Sequence, residues 1–349
     1  MSIIHTENRK QTSLVTGGTG LVGSHLLAQL VLQDKPLRAI YRTASGLNKV
    51  LHVFSYYFED NKAYFDKIEW VKADVTDIPS LIEVFQNIDE VYHCAAVVSF
   101  RKKDIAMMRA VNIEGTANMI NLALENKIKK FAFVSSIAGL GKNEQGKFID
   151  ETNDWNPEAD NYAYAISKYG GEMEVWRGAQ EGLNVVIVNP GIILGAGFWE
   201  SNTGRFFTNA ANSFAYYTTG KTGFVVVEDV VKALIELMNH NLFNERFILV
   251  SKNTSFQDIM TEIASAMQTQ PPHRKVSPIM AEIAWRLAWI SSLVTGKQPL
   301  ITKHSSRAAQ QMYEYNSEKI QQSIGFEFEP LSIGIQRIVG FYKKDKTKS

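Results

Sequence analysis

The stretch SLVTGGTGLVG at residues 13–23 places Gly17, Gly20 and Gly23 between a short apolar run and an amphipathic segment. The apolar run predicts a β-strand, and the segment after the glycines predicts a helix with Leu26, Leu27 and Leu30 on one face. Glycine permits a tight turn and lets backbone amides approach a ligand, while a helix N-terminus offers unpaired N–H groups to phosphates. This order predicts a dinucleotide-binding turn. The candidate contacts are Gly17, Thr19, Gly20, Leu21, Val22 and Gly23.

Short strand-like runs alternate with helical patterns over the first 250 residues. Such alternation is typical of a parallel sheet covered by helices on both faces, with its ligand at the carboxyl ends of the strands. We therefore expect an α/β, doubly wound parallel (Rossmann) sheet. The principal predicted strands are residues 13–16, 37–41, 68–71, 90–93, 130–136 and 184–190.

The pattern changes after Pro190, where residues 191–223 are rich in Gly, Asn, Thr and aromatic side chains. The alternation of strands and helices returns briefly, and the rest of the chain is mainly helical. We expect a nucleotide-binding domain, a smaller and mostly helical substrate lobe, and a disordered charged tail. Their predicted bounds are 11–190 plus 223–250, 191–222 plus 251–342, and 343–349.

The composition narrows the class of protein. The chain has 37 Lys and Arg against 36 Asp and Glu, so it lacks the basic excess that nucleic-acid binding requires. Its single cysteine, Cys94, excludes an intramolecular disulfide and fits a reducing compartment. The seven histidines show no metal-ligand spacing, and no apolar run is long enough to span a bilayer. We expect a cytoplasmic protein without a metal.

Arg42 closes the second predicted strand, where an acidic residue would bind a ribose 2′-hydroxyl and an arginine would accept a 2′-phosphate. The presence of an arginine at this position therefore favours NADP over NAD as the cofactor. The alternative is that Arg42 is a solvated surface charge.

Tyr164 and Lys168 form a Y-x-x-x-K pair after the strand that ends in Ser135 and Ser136. Residues four apart share one helix face, so both side chains can reach one site. A nearby ammonium favours the phenolate and lowers the pKa of the tyrosine. The same spacing occurs in three other places that follow no such strand: Tyr217 with Lys221, Tyr315 with Lys319, and Tyr342 with Lys346.

Together, the T-G-x-x-G-x-x-G turn from Thr16 and the Tyr–Lys pair resemble the extended short-chain dehydrogenase/reductase superfamily, which is NAD-dependent epimerase/dehydratase-like. The resemblance implies that Tyr164 and Lys168 are catalytic and contact the cofactor. It implies further cofactor contacts at Asp74, Val75, Ala95, Ala96, Pro190, Gly191 and Ile193.

Two further catalytic assignments follow from this resemblance. Ser136, with Ser135 in reserve, would hydrogen-bond the substrate oxygen. Asn112, in the V-N-x-x-G-T match, would either be structural or organise a proton relay. Both readings of Asn112 stay open at this point.

Within the superfamily, the chain looks most like the dihydroflavonol reductase and 3β-hydroxysteroid dehydrogenase branch. The stretches NPGIILGAG at 189–197 and FVVVEDVVKAL at 224–234 carry this likeness, although Val226 stands where the branch often has histidine. The branch implies an NADP(H)-dependent oxidoreductase that reduces a carbonyl, or oxidises the alcohol, of a bulky apolar small molecule. An aromatic-rich loop would supply an apolar pocket: Phe198, Trp199, Phe206, Phe207, Phe214, Tyr216 and Tyr217.

Several alternatives stay open. The apolar segment 279–294 predicts a helix that packs on the sheet domain, walls the substrate site or contacts a membrane surface. The runner-up function is a nucleotide-sugar epimerase or dehydratase with tightly bound NAD. A non-catalytic NADP-sensing regulator is a third reading, which the Tyr–Lys pair disfavours. The resemblance suggests a monomer or a homodimer.

Overall fold

The computed structural model of this protein describes residues 11–33, 35–142, 148–201, 203–277, 279–283, 285–287 and 310–347. The strands in these ranges are β1 (Ser13–Thr16), β2 (Leu37–Tyr41), β3 (Ile68–Lys72), β4 (Glu90–His93), β5 (Lys130–Val134), β6 (Val185–Pro190), β7 (Ile192–Leu194), β8 (Tyr216–Tyr217), β9 (Lys221–Val226), β10 (Glu245–Leu249), β11 (Lys252–Ser255) and β12 (Arg274–Lys275).

Helices occupy most of the connections between these strands. They are α1 (Leu21–Leu30), α2 (Ala44–Phe54), α3 (Asn61–Phe65), α4 (Ile78–Val84), α5 (Ile105–Arg109), α6 (Gly115–Glu125), α7 (Ala163–Gln180), α8 (Gly204–Ala211), α9 (Val227–His240), α10 (Phe256–Met267), α11 (Glu318–Ile324) and α12 (Leu331–Thr347). A π-helical turn, Ala110–Glu114, joins α5 to α6.

A seven-stranded sheet forms the centre, in the order β10-β6-β5-β4-β1-β2-β3 with every pairing parallel. Alternate residues of its strands enter different cores. Leu14 and Ile187 pack with the helices of one face, whereas Val15 and Val188 pack with those of the other. Because side chains of a strand alternate between faces, the continuous apolar runs of the sequence can fill both cores. The predicted doubly wound fold is confirmed.

A second, smaller sheet, in the order β11-β9-β7, leads into a mainly helical C-terminal region. Its core joins residues of α8, α10 and α12. Much of the aromatic-rich loop is part of this core: Phe207 is fully buried, and Phe206 and Trp199 pack against the cluster. Phe207 therefore supports the lobe from within and does not face an open substrate pocket, contrary to our expectation, whereas Phe206 and Trp199 remain partly exposed beside it.

The C-terminal tail is also different from the prediction. Residues 343–347, expected to be disordered, are the last turns of α12. Asp345 explains this order, since one of its carboxylate oxygens lies 2.5 Å from the hydroxyl of Tyr56, 2.8 Å from the indole N–H of Trp199 and 2.9 Å from Nε2 of His52. The many charged residues of the tail predicted that it would be solvated, but hydrogen bonds to distant parts of the chain keep it ordered.

The segment expected to be a loop, 191–223, contains β7, α8 and β8. Of the predicted helix at 279–294, residues 279–283 and 285–287 are helical, and the rest lies outside the described residues. Within the ranges that the structure describes, no helix is long and apolar enough to cross a membrane.

Candidate functional site

The glycine turn between β1 and α1 leaves no room for side chains. Gly17 has φ +67°, and a Cβ added there would lie 2.5 Å from the backbone nitrogen of Ala95. A Cβ on Gly23 would lie 2.2 Å from the carbonyl oxygen of Gly17. Gly20 caps α1 without a side-chain hydrogen bond, so the first-turn amides are available to an anion. The geometry fits the pyrophosphate of a dinucleotide.

Arg42 and Asp74 lie at the carboxyl ends of the neighbouring strands β2 and β3. Their charged groups are 3.8 Å apart, and the Arg42 side chain is 63% exposed. An ion pair so exposed is weak, which leaves the guanidinium able to bind a phosphate. Val75 is buried against Gly115, so it fixes the turn after β3.

The end of β4 passes beside the glycine turn. His93 is buried between Thr16 and Thr116, with ring nitrogens 2.6 Å and 3.0 Å from their hydroxyl oxygens. Burial lowers the pKa of His93 to about 3, so the ring is neutral. Burial raises the pKa of the Cys94 thiol to about 12, which argues against a nucleophilic role. Ala95 and Ala96 follow directly and face the turn with small side chains.

Tyr164 and Lys168 project from α7 towards the end of β5. Lys168 is 2% exposed; its Nζ donates to the carbonyl of Val134 at 2.7 Å and lies 4.5 Å from the ring centre of Phe133. Burial lowers the pKa of Lys168 to about 8, and Glu172 opposes the shift. Burial raises the pKa of Tyr164 to about 12, and a hydrogen bond from Ser136 opposes it. Ser136 and Tyr164 therefore meet at the end of β5, with Lys168 one helical turn further along α7. The expected lowering of the Tyr164 pKa by Lys168 is not found, because burial dominates.

The structure separates the two serines at the end of β5. Ser136 contacts Tyr164 and caps a short turn by accepting from the N–H of Ala138 at 3.1 Å. Ser135 points to the opposite side, where its hydroxyl donates to Glu172 at 2.7 Å. This difference favours Ser136 as the substrate contact.

Asn112 lies in the π-helical turn and fastens it to the loop after β4. Its amide oxygen accepts from the N–H of Val97 at 2.7 Å, and its amide nitrogen donates to the carbonyl of Val97 and to Ser167, both at 2.9 Å. Both ends of the amide are engaged within the protein. The geometry favours the structural reading over the proton relay.

Pro190 ends β6 of the central sheet, and Gly191 leads directly into β7 of the second sheet, which contains Ile193. The N–H of Gly191 donates to the carbonyl of Leu249 at 3.0 Å, and a Cβ there would lie 2.4 Å from the carbonyl oxygen of Gly223. This segment is thus held close to the carboxyl ends of β6 and β10.

Sequence reasoning missed two groups beside this site. Phe100 and Tyr162 extend an aromatic surface from Tyr164, with ring centres 5.6 to 6.4 Å apart. Glu172, Asn189 and Arg246 form a buried polar network behind the serines. Glu172 could have been found because it continues the i, i+4 spacing of Tyr164 and Lys168. Nothing local in the sequence marks Phe100, Asn189 or Arg246.

Among the described residues, no cluster of three or more potential metal ligands occurs.

Known proteins resemble this chain over most of its length. Residues 13–249 match the model of the NAD dependent epimerase/dehydratase family. A Synechocystis protein, named provisionally as a dihydroflavonol 4-reductase, is 28% identical over 93% of this chain and 92% of its own. Sterol demethylase protein B of Methylococcus capsulatus is 27% identical over 76% of this chain and 78% of its own. Dihydroflavonol 4-reductase of Arabidopsis thaliana is 25% identical over 72% and 68%.

Solved structures share the fold. The structure of gox2253 superimposes with a TM-score of 0.78 at 24% identity and covers 96% of this chain and 98% of its own. UDP-glucose 4-epimerase of Thermotoga maritima has a TM-score of 0.74 at 19% identity and covers 96% and 100%. At this level of identity the comparison establishes the architecture alone.

Proposed function

The chain belongs to the NAD-dependent epimerase/dehydratase family of NAD(P)-binding enzymes, and we propose that it is an NADP(H)-dependent oxidoreductase. Its substrate would be the carbonyl, or in reverse the alcohol, of a bulky and largely apolar small molecule. The observation that carries this proposal is the group of Ser136, Tyr164 and Lys168 at the end of β5. The reductase names of several relatives support the same direction.

The residues present fit a dinucleotide. The turn, which has no space for a Cβ at Gly17 or Gly23, would receive the pyrophosphate, and the exposed guanidinium of Arg42 would bind a 2′-phosphate. Asp74 and Val75 would border the adenine. Ala95, Ala96 and the segment of Pro190, Gly191 and Ile193 would border the nicotinamide end, where Lys168 would hold the ribose.

The side chains then have distinct roles in the reaction. A bound nicotinamide would supply the hydride for the carbonyl carbon. Tyr164 donates its proton to the carbonyl oxygen, and Ser136 polarises that oxygen by a hydrogen bond. Lys168 stabilises the phenolate that remains. Because the pKa of Lys168 is about 8, we expect carbonyl reduction to decline as the pH rises above 8 and this ammonium loses its proton.

The aromatic surface beside Tyr164 supports an apolar substrate. Phe100 lies 5.6 Å from Tyr162 and 6.4 Å from Tyr164, measured between ring centres. A substrate carbonyl held at Tyr164 would place its bulk against these rings, which favour apolar or aromatic groups.

Tyr164→Phe tests the catalytic assignment. NADPH oxidation with a panel of apolar ketones and aldehydes should fall at least about 100-fold, since the proton donor is lost, while NADPH affinity stays within about threefold. Tyr169→Phe is the matched control, because Tyr169 lies on the same helix but stacks on Trp155, 4.5 Å away. Unchanged turnover in Tyr164→Phe would refute the proposal.

Arg42→Ala tests the choice of cofactor. We expect NADPH binding to weaken at least about tenfold and NADH binding to stay unchanged, because only NADPH carries the 2′-phosphate. Arg109→Ala removes an exposed arginine elsewhere and serves as the control. Equal losses for both cofactors would contradict the role of Arg42. NAD that copurifies and persists would instead support the epimerase or dehydratase reading.

A further inference from the structure

A buried charged network lies directly behind the redox site. Its centre is Glu172, which is completely buried although it carries a carboxylate. One oxygen accepts hydrogen bonds from Ser135 at 2.7 Å and from the amide of Asn189 at 2.9 Å. The other lies 3.1 Å from a guanidinium nitrogen of Arg246 on β10. Four structural elements therefore meet at one carboxylate.

The network holds in place the backbone next to Tyr164, Lys168 and Ser136. The amide nitrogen of Asn189 also donates to the carbonyl of Ser136 at 3.1 Å, so Glu172 and Ser136 share one donor group. Arg246 donates to the carbonyl of Glu151 at 2.6 and 2.8 Å and to that of Asn153 at 3.2 Å. It thereby holds the segment that precedes α7 against the sheet.

Glu172 also lies one helical turn beyond Lys168, on the same face of α7. The groups that face Lys168 from other elements are neutral at pH 7: His93 and Cys94 at the end of β4, and Phe133 and the Val134 carbonyl on β5. Tyr164, on its own helix, is a neutral phenol in the same range. Burial disfavours the ammonium, and the carboxylate of Glu172 is the largest opposing influence.

A buried ion pair usually adds little to the free energy of unfolding. Desolvation of both charges usually offsets their attraction, and apolar replacements are often as stable. The position of Glu172 is more informative than its pairing, because it lies one helical turn from Lys168 and shares the amide of Asn189 with the backbone carbonyl of Ser136.

We propose that Glu172 is a positioning residue of the redox site, which places a negative charge one helical turn from Lys168 and holds the backbone of Ser136 in place through Asn189. The proposal rests on the proposed oxidoreductase function. Arg246 is the counter-ion that allows this carboxylate to be buried without a partner from solvent.

Glu172→Gln is the direct test, because it keeps the shape and removes the charge. We expect the high-pH limb of NADPH-dependent reduction to move down by about one pH unit, since Lys168 then loses its proton more readily. At pH 8 the kcat should fall about fivefold, because the protonated fraction of Lys168 falls from about one half to about one tenth, whereas the KM for NADPH stays within about twofold. Glu174→Gln is the matched control, because Glu174 is on the same helix and pairs with Arg177 at the surface. Glu172→Asp should restore part of the parental profile.

A pH profile equal to that of Glu174→Gln, or a loss of thermal stability with no shift in the limb, would overturn the proposal. If Glu172→Gln does not fold, Glu172→Gln with Arg246→Gln removes both charges, and a smaller downward shift is expected because the repulsion of Lys168 by Arg246 is lost too. The Nζ nitrogen-15 resonance of Lys168, assigned with Lys168→Met, gives a titration that requires no turnover. A downward shift of this titration in an enzyme that is inactive on every carbonyl would support Glu172 while refuting the proposed function.

Discussion

Gly23→Ala is the most direct perturbation of the nucleotide turn. The added methyl carbon would lie 2.2 Å from the carbonyl oxygen of Gly17, 2.7 Å from its carbonyl carbon and 2.8 Å from the Cα of Gly18. All three atoms belong to the backbone. No side-chain rotation can relieve the contact, so the turn or the first turn of α1 must move by about 0.8 Å or more to reach an allowed separation.

The expected cost follows from this geometry. Overpacking of a buried site typically costs about 1–3 kcal/mol, and a contact with backbone should fall at the upper end of that range. The same movement displaces the amides that would face the pyrophosphate. We therefore expect cofactor affinity to fall at least about tenfold, which corresponds to about 1.4 kcal/mol.

Fluorescence titration with NADPH and thermal unfolding measure these two effects separately. Gly340→Ala is the matched control: an added Cβ there meets nothing within 4 Å, and alanine favours the helix α12. We expect that control to bind NADPH normally and to unfold at an equal or higher temperature. Parental affinity and parental stability in Gly23→Ala would refute our account of the turn.

Three further predictions concern other parts of the molecule. Asp345→Asn should lower the free energy of unfolding by about 1–2 kcal/mol in a denaturant titration, whereas Asp66→Asn, at an exposed ion pair, should change it little. Burial raises the pKa of Asp229 to about 7, so its folded form binds a proton more tightly than the unfolded chain, and its contribution to stability falls as the pH rises from about 4 to 7. Asp229→Asn should therefore reduce that pH dependence, and an unchanged slope would contradict this assignment. Phe100→Ala should raise the KM for bulky apolar carbonyls more than for small ones, and an equal change for both would argue against the aromatic surface.

Local sequence was sufficient to predict the features that form within a single short segment of the chain. The turn at 13–23 contains its strand, its glycines and its helix in eleven residues, so its geometry follows from local steric limits. Tyr164 and Lys168 are likewise placed together by the period of a single helix. The β1, β2 and β4 strands begin and end where their apolar runs do.

Long-range packing decided the features that the sequence left open or misjudged. Phe207 looked like a pocket residue because aromatic composition alone does not distinguish a cavity from a core, and only the contacts among α8, α10 and α12 show that it is buried. Asp345 lies in a charged tail but finds partners at Tyr56 and Trp199, far away in the chain.

The sequence by itself determined the nucleotide turn, the parallel sheet and the Tyr164–Lys168 pair, because short-range sterics and helical periodicity specify each of them. Only the tertiary structure brought Glu172 of α7 to Arg246, 74 residues later on the edge strand. No local pattern encodes such a pairing, since the two residues meet only after the strands of the sheet have been ordered. The cost of burying both charges then makes their contact specific.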